Sequence, residues 1–193
     1  NYTGARHGVA TVNGTSALHA ALIVCGVQEN DEVLTQSLTF VATANAIKYC
    51  NAEPVFIDVD KDTMGLSPTA LQSFLEEYSI MRNGRCYNKN TNKIIRACLP
   101  MHTFGFPCRI IEICEICAKF GIKVIEDAAE AIGSELNGQK IGTFGDVGVF
   151  SFNGNKVITA GGGGAIVTNN EKIAKESKHL TTTGKINHPY EFH

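Results

Sequence analysis

Lys156 closes the run Phe150-Ser151-Phe152-Asn153-Gly154-Asn155-Lys156, just before the glycine tract Gly161 to Gly164 and downstream of the acidic stretch Glu126-Asp127-Ala128-Ala129-Glu130. A lysine amine can form a Schiff base with a carbonyl, and a carboxylate held near it can keep a pyridine nitrogen protonated. Pyridoxal 5'-phosphate chemistry needs both groups.

Each residue taken singly also has a plainer reading. Lys156 alone would pass for a surface lysine. Asp127 follows the apolar segment Ile122-Lys123-Val124-Ile125 and would project at a strand end, where it could pair with a pyridinium, cap a helix or shape a turn. Asn13-Gly14-Thr15-Ser16 opens a helix, so its amides and two hydroxyls could hold a phosphate at the positive end of the helix dipole. An ordinary Ser/Thr helix start accounts for it equally well. Ser151 and Lys156 share the turn after one strand, close enough for one to touch a phosphate and the other an aldehyde carbon. It is their combination that points to a cofactor site. His102, before Thr103-Phe104-Gly105, could serve the substrate side of such a site, with a strand-end structural role as the simpler reading.

The elements that must position these residues alternate between helix and strand, the organisation of a doubly wound α/β sheet. Helical spacing runs from Thr15 to Cys25 and stops at Gly26. Strand Glu32 to Thr35, helix Phe40 to Cys50 and strand Val55 to Val59 follow. Ser67-Pro68 opens a helix that reaches Tyr78, with Ser as cap and Pro in the first turn. Asn83 to Lys93 is polar and reads as a loop insertion. Beyond it come strand Ile94 to Leu99, helix Ile110 to Phe120, strands Lys123 to Glu126, Val147 to Phe152 and Ala165 to Thr168, and helix Glu171 to Leu180. No internal repeat or domain linker interrupts the pattern.

Composition excludes several function classes. A chain of 193 residues, 44% hydrophobic, can bury one sizeable core, so residues 1–193 read as a single domain. With 17 Lys+Arg against 19 Asp+Glu the net charge is −2, and there is no long basic run, which argues against nucleic acid as a partner. The apolar stretches fall short of the ~20 residues that cross a bilayer, and the start Asn1-Tyr2-Thr3-Gly4 lacks a signal-peptide pattern, so the expectation is a cytoplasmic protein with no membrane partner. Seven cysteines, an odd number in apolar segments, fit buried thiols in a reducing compartment. The pair Cys114 and Cys117 has CxxC spacing but no second such pair or histidine cluster near it, and reads as core thiols on one helix face rather than a metal site.

Five ordered stretches carry a family resemblance: Asn13-Gly14-Thr15-Ser16-Ala17-Leu18; Leu38-Thr39-Phe40-Val41-Ala42-Thr43-Ala44-Asn45-Ala46; Phe56-Ile57-Asp58-Val59-Asp60; Glu126-Asp127-Ala128-Ala129-Glu130-Ala131; and Gly145-Asp146-Val147-Gly148-Val149-Phe150-Ser151-Phe152 through Lys156. In order and spacing the chain resembles the DegT/DnrJ/EryC1/StrS nucleotide-sugar aminotransferases over nearly its whole length. Its Asn153-Gly154-Asn155 segment looks most like the LegC branch, which acts on UDP-linked 4-keto sugars on the way to bacillosamine or legionaminic acid. The resemblance implies a three-layer α/β/α, mostly parallel sheet, the large domain of a fold-type I enzyme dependent on pyridoxal 5'-phosphate.

By position, the resemblance makes Lys156 the Schiff-base lysine and proton shuttle, Asp127 the partner of the pyridine nitrogen, and Phe40 the residue stacked on the ring. Thr15, Ser16 and Ser151 would hold the phosphate. Glu130 stands where the family often has Gln or His near the cofactor, and Asn153 where His is frequent. Relatives that remove a 3-hydroxyl replace the lysine with His, so Lys156 favours transamination from an amino acid donor, glutamate, to a nucleotide-linked keto sugar for cell-surface glycans. A dehydratase or epimerase on the same cofactor, or a non-catalytic binding module, are the alternatives. Relatives run to roughly twice this length and pair as homodimers whose sites are completed across the interface. This chain, ending at His188-Pro189-Tyr190-Glu191-Phe192-His193, is therefore expected to be a large domain truncated at both ends, without the smaller C-terminal domain.

Overall fold

A computed structural model describes residues 2–184 and 186, so Asn1 and the final segment 187–193, on which the expectation of truncation partly rests, lie outside the described residues. In chain order the elements are β1 (His7–Thr11), α1 (Gly14–Val24), β2 (Glu32–Gln36), α2 (Val41–Tyr49), β3 (Glu53–Ile57), α3 (Pro68–Tyr78), β4 (Ser79–Arg82), β5 (Arg85–Asn88), β6 (Ile95–Leu99), α4 (Ile110–Lys119), β7 (Lys123–Asp127), β8 (Glu135–Leu136), β9 (Gln139–Lys140), β10 (Val147–Ser151), β11 (Gly164–Thr168) and α5 (Glu171–Leu180). A 3-10 turn spans Thr103–Gly105.

Among the described residues one seven-stranded sheet runs in the order β1-β11-β10-β7-β6-β2-β3. The five strands from β10 to β3 pair in parallel, while β11 is antiparallel to both β10 and β1. Helices α1, α2 and α5 bury Leu18, Leu22, Ala46, Ile47 and Ile173 against one face of the sheet. Helices α3 and α4 bury Leu71, Leu75, Ile113 and Ile116 against the other. The result is a three-layer α/β/α fold, mostly parallel, as the alternation of elements implies.

Helix starts follow their caps. The Asn13 side chain accepts from the Ser16 amide, Ser67 from Ala70 ahead of a first-turn Pro68, and Asn170 from Lys172 and Ile173. Helix α2 starts differently. Phe40, its cap residue, is extended and makes no side-chain cap bond, which leaves its ring projecting from the sheet's carboxyl edge.

Two readings need correction. The third strand is Glu53–Ile57, two residues earlier than the expected Val55 to Val59, because pairing with β2 sets its register; Val59 instead makes a single bridge to Leu66. The polar stretch from Asn83 is in part a hairpin. Asn83 and Gly84, with φ of 50° and 73°, form the two-residue turn that joins β4 to β5. That hairpin is anchored where Asn88 and Thr91 donate to the buried Glu32 carboxylate at 2.8 and 2.6 Å. Strand β1 carried no expectation at all. It lies at the sheet edge, alternates exposed and buried positions, and owes its place to antiparallel pairing with β11.

Candidate functional site

The strands β2, β6, β7 and β10 end at Gln36, Leu99, Asp127 and Ser151, and the segments that follow them converge beyond one edge of the sheet. Parallel sheets place ligands there because the loops open away from the core and helix N-termini point inward. Together with the start of α1 these segments enclose a cavity of about 490 Å³, within the range of small-molecule sites. Thr15, Phe40, Asp127, Glu130, Ser151, Asn153 and Lys156 all line it. Ser16 does not; it sits one step further into the helix, where its amide donates to Asn13 Oδ1 at 2.7 Å.

The phosphate-sized end of the cavity is formed where α1 meets β10. A Cβ built on Gly14 would stand 2.8 Å from Ser151 Cβ, so only glycine permits the helix start and the Ser151 hydroxyl to approach this closely. A helix N-terminus flanked by the hydroxyls of Thr15 and Ser151 is a fitting cradle for a phosphate. At the other end Lys156 Nζ lies 2.8 Å from Glu130 Oε1 and 5.6 Å from the centroid of the Phe40 ring, with the lysine side chain 11% exposed. A cation over the ring face and against a carboxylate is held from two sides.

Asp127 lies between these ends. It is buried, accepts from Thr43 Oγ1 at 2.7 Å on Oδ2 and from the Ala129 amide at 3.2 Å on Oδ1. Burial pushes its carboxyl above the usual carboxylate range, against the pull of those two donors and of the Lys156 charge. A cationic group entering the cavity would compensate that burial, which is what a protonated pyridine nitrogen does.

The preceding residue, Glu126, faces the opposite side of β7. Its two oxygens accept from the amides of Gly142, Phe144 and Gly145 at 2.8, 2.7 and 2.7 Å and from His102 Nε2 at 3.1 Å. Burial of the His102 ring works to lower its pKa, but Cys108 and the Glu126 carboxylate outweigh it and push it up to about 10, while the Cys108 amide points at Nδ1 at 3.3 Å. His102 therefore borders the cavity as a structural histidine. Its backbone amide donates to the Asp127 carbonyl, which helps to seat that residue.

Local pattern in the sequence identifies neither Glu126 nor Thr43, Thr39 and Gln36 as part of the site. Gln36 ties the cavity floor together: its Nε2 donates to the Leu38 carbonyl and to Thr103 Oγ1, and its Oε1 accepts from the amides of Leu66 and Met101. The only signal for it is a long polar side chain at the carboxyl end of a strand. The CxxC pair shows no sign of reactivity: Cys117 is buried in the core, and desolvation, then the nearby Glu126 charge, pushes the Cys114 thiol up to about 12. No helix among the described residues is long and apolar enough to cross a membrane.

Comparison with known proteins decides the family. A profile of the DegT/DnrJ/EryC1/StrS aminotransferase family matches residues 1–191. The chain belongs to that family. It is 43% identical over 182 residues to the putative pyridoxal phosphate-dependent aminotransferase EpsN of Bacillus subtilis, a match covering 94% of this chain and 44% of EpsN. It is 38% identical over 184 residues to the GDP-perosamine synthase of Caulobacter vibrioides, covering 95% of this chain and 45% of that enzyme. Among solved structures, a DegT/DnrJ/EryC1/StrS aminotransferase from Brucella abortus superposes with a TM-score of 0.89 at 32% identity, covering 99% of this chain and 49% of that one. The chain thus spans less than half the length of the relatives it matches. Within this family the co-location of Lys156, Asp127, Ser151 and Thr15 acquires a specific chemical meaning.

Proposed function

We propose that the protein of which this chain forms the large domain is a pyridoxal 5'-phosphate-dependent aminotransferase acting on a nucleotide-linked keto sugar. The observation that carries this reading is the single cavity holding Lys156, Asp127, Phe40, Thr15 and Ser151 in a member of the family. When bound, the cofactor supplies an aldehyde that carries the amino group and a ring that takes up the electron pair released beside it.

The chain's residues do the rest. Thr15, Ser151 and the start of α1 would hold the phosphate. Asp127 would favour a protonated pyridine nitrogen. Phe40 would help to keep water from the ring. Lys156 Nζ would supply the amine that links to the aldehyde and the base that moves a proton. Glu130 holds that amine in place. The amino donor is an amino acid, glutamate in this reading, and the acceptor a 4-keto sugar on a nucleoside diphosphate, with the UDP-linked sugars of the LegC branch as the specific case. The substrate side is completed by a partner subunit in a cytoplasmic homodimer. The exposed rings of Phe40, Phe104 and Phe106 near the cavity mouth suit such a covered surface.

The first test is to add pyridoxal phosphate, reduce any linkage to the protein with borohydride and locate the modified residue by peptide mass analysis, with Lys156→Ala alongside. Labelling confined to Lys156 is expected. Labelling elsewhere, or equal labelling of the variant, overturns the assignment. Glutamate-dependent release of 2-oxoglutarate in the presence of a UDP-4-keto sugar then tests the reaction, and a GDP-linked sugar tests the nucleotide.

A further inference from the structure

A chain of hydroxyls stands behind Asp127. Thr43 Oγ1 lies 2.7 Å from Asp127 Oδ2, and Thr39 Oγ1 lies 2.7 Å from Thr43 Oγ1 and 3.0 Å from Met101 Sδ. Each threonine has one hydroxyl proton to give. Asp127, as a carboxylate, can only accept, so the Thr43 proton goes to Asp127, and Thr43 can then only accept from Thr39. All three donors and acceptors are fixed by their elements: Asp127 at the end of β7, Thr43 buried in the first turn of α2, Thr39 just before that helix.

We propose that Thr43 and Thr39 are positioning residues that keep Asp127 an acceptor, charged and aimed into the cavity, by a hydrogen-bond chain running in one direction, Thr39 to Thr43 to Asp127.

Two observations besides the distances support this. Asp127 is buried, which disfavours its charged form, and its remaining protein donor, the Ala129 amide, lies on the other oxygen at a longer 3.2 Å. Moreover, a hydroxyl can donate to a carboxylate or accept from a carboxylic acid. Reversal would require Asp127 to hold the proton, Thr43 to donate to Thr39 and Thr39 to donate to Met101 Sδ, so that the chain would end on a sulfur, a weak acceptor, where the forward direction ends on a carboxylate, a strong one. The chain therefore opposes protonation of Asp127 cooperatively. Other groups face Asp127 as well. His102, held against Glu126, and Lys156, across the cavity, are charges that favour the Asp127 carboxylate from a distance; Glu126 points away into its own donors; Glu130 is paired with Lys156. None of these supplies a short hydrogen bond to Oδ2.

The test follows the Asp127 carboxyl by carbon NMR across pH in the cofactor-free protein, with Asp127→Asn to assign its signal. Thr43→Val keeps the shape and removes the hydroxyl; it should raise the Asp127 titration further by about one pH unit, a roughly tenfold smaller ratio of ionised to protonated form. Thr43→Ser should restore the parental value, and Thr39→Val should give a smaller rise in the same direction. An unchanged titration in Thr43→Val, or an equal rise in Thr43→Ser, overturns the proposal, the latter by assigning the effect to the lost methyl. Should Thr43→Val fail to fold, Thr39→Val decides: no rise there refutes the chain. This readout does not depend on the cofactor. If the aminotransferase reading also holds, Thr43→Val weakens pyridoxal phosphate binding as well over the pH range between the parental and the shifted Asp127 titrations, and a shifted titration without that loss would refute the cofactor role of Asp127 while leaving the chain intact.

Discussion

Glu126 and Asp127 are neighbours on β7, both carboxylates, both buried, and they do opposite things. Glu126 is saturated by three amides of the 142–145 loop and by His102. Asp127 has two protein donors and looks into a cavity. The difference comes from strand alternation, which sends consecutive side chains to opposite sides of a sheet. One side here is closed by a loop and the other is left open. A buried carboxylate whose acceptor capacity is filled by the protein holds the fold together, whereas one left short of partners is available to a ligand.

The sharpest break of this comparison is Glu126→Ala. It orphans the buried Gly142 amide, the part-buried amides of Phe144 and Gly145 and the buried His102 Nε2 at once, and we expect a loss of about 3–5 kcal/mol in stability, read as a lowered denaturant midpoint. A loss below about 1 kcal/mol would mean that water replaces the carboxylate and that the loop is not held as described. Gly14→Ala is expected to come next, at about 1–3 kcal/mol, because its Cβ must push α1 away from Ser151; the same variant should bind inorganic phosphate and pyridoxal phosphate more weakly.

Asp127→Asn should show the reverse balance. Replacing a carboxylate that burial already disfavours changes stability by less than about 1 kcal/mol, in either direction, while pyridoxal phosphate retention falls markedly. Calorimetry together with equilibrium dialysis separates the two effects. If Asp127→Asn unfolds the protein as Glu126→Ala does, the contrast between the two acids fails.

The smallest effect is in the pH dependence. Since the folded value for Asp127 lies above its unfolded value, the folded state binds more protons between the two. Its contribution to stability is therefore most favourable below the ordinary carboxylate range, declines as pH rises through the folded value, and is constant above it. The difference in stability between parent and Asp127→Asn, measured without cofactor from pH 3 to pH 8, should move in this sense, and a bound cation-bearing ligand should flatten it.

Much of this was legible in the order of residues. Caps at Asn13, Ser67 and Asn170 mark helix starts because a capping side chain reaches only its own next few amides. Lys156, Asp127 and Ser151 could be singled out because each follows an apolar strand, and all three do line one cavity. The hairpin at Asn83-Gly84 was equally local and was obscured by its polar surroundings. Strand β1 and the shifted start of β3 were not local in this way, since each depends on a partner distant in the chain.

By itself, then, the sequence determined the helices, the parallel strands of the sheet and which side chains are chemically able to act, because propensity, capping and side-chain type are properties of short stretches. Only the tertiary structure decided which of two adjacent acids would face the cavity, that Thr43 would reach Asp127 from 84 residues away, and that Glu130 would meet Lys156. Those outcomes depend on the burial of one face of β7 under the 142–145 loop and the packing of α2 across the sheet. Contacts between segments far apart in the chain leave no periodicity in either segment from which they could be read.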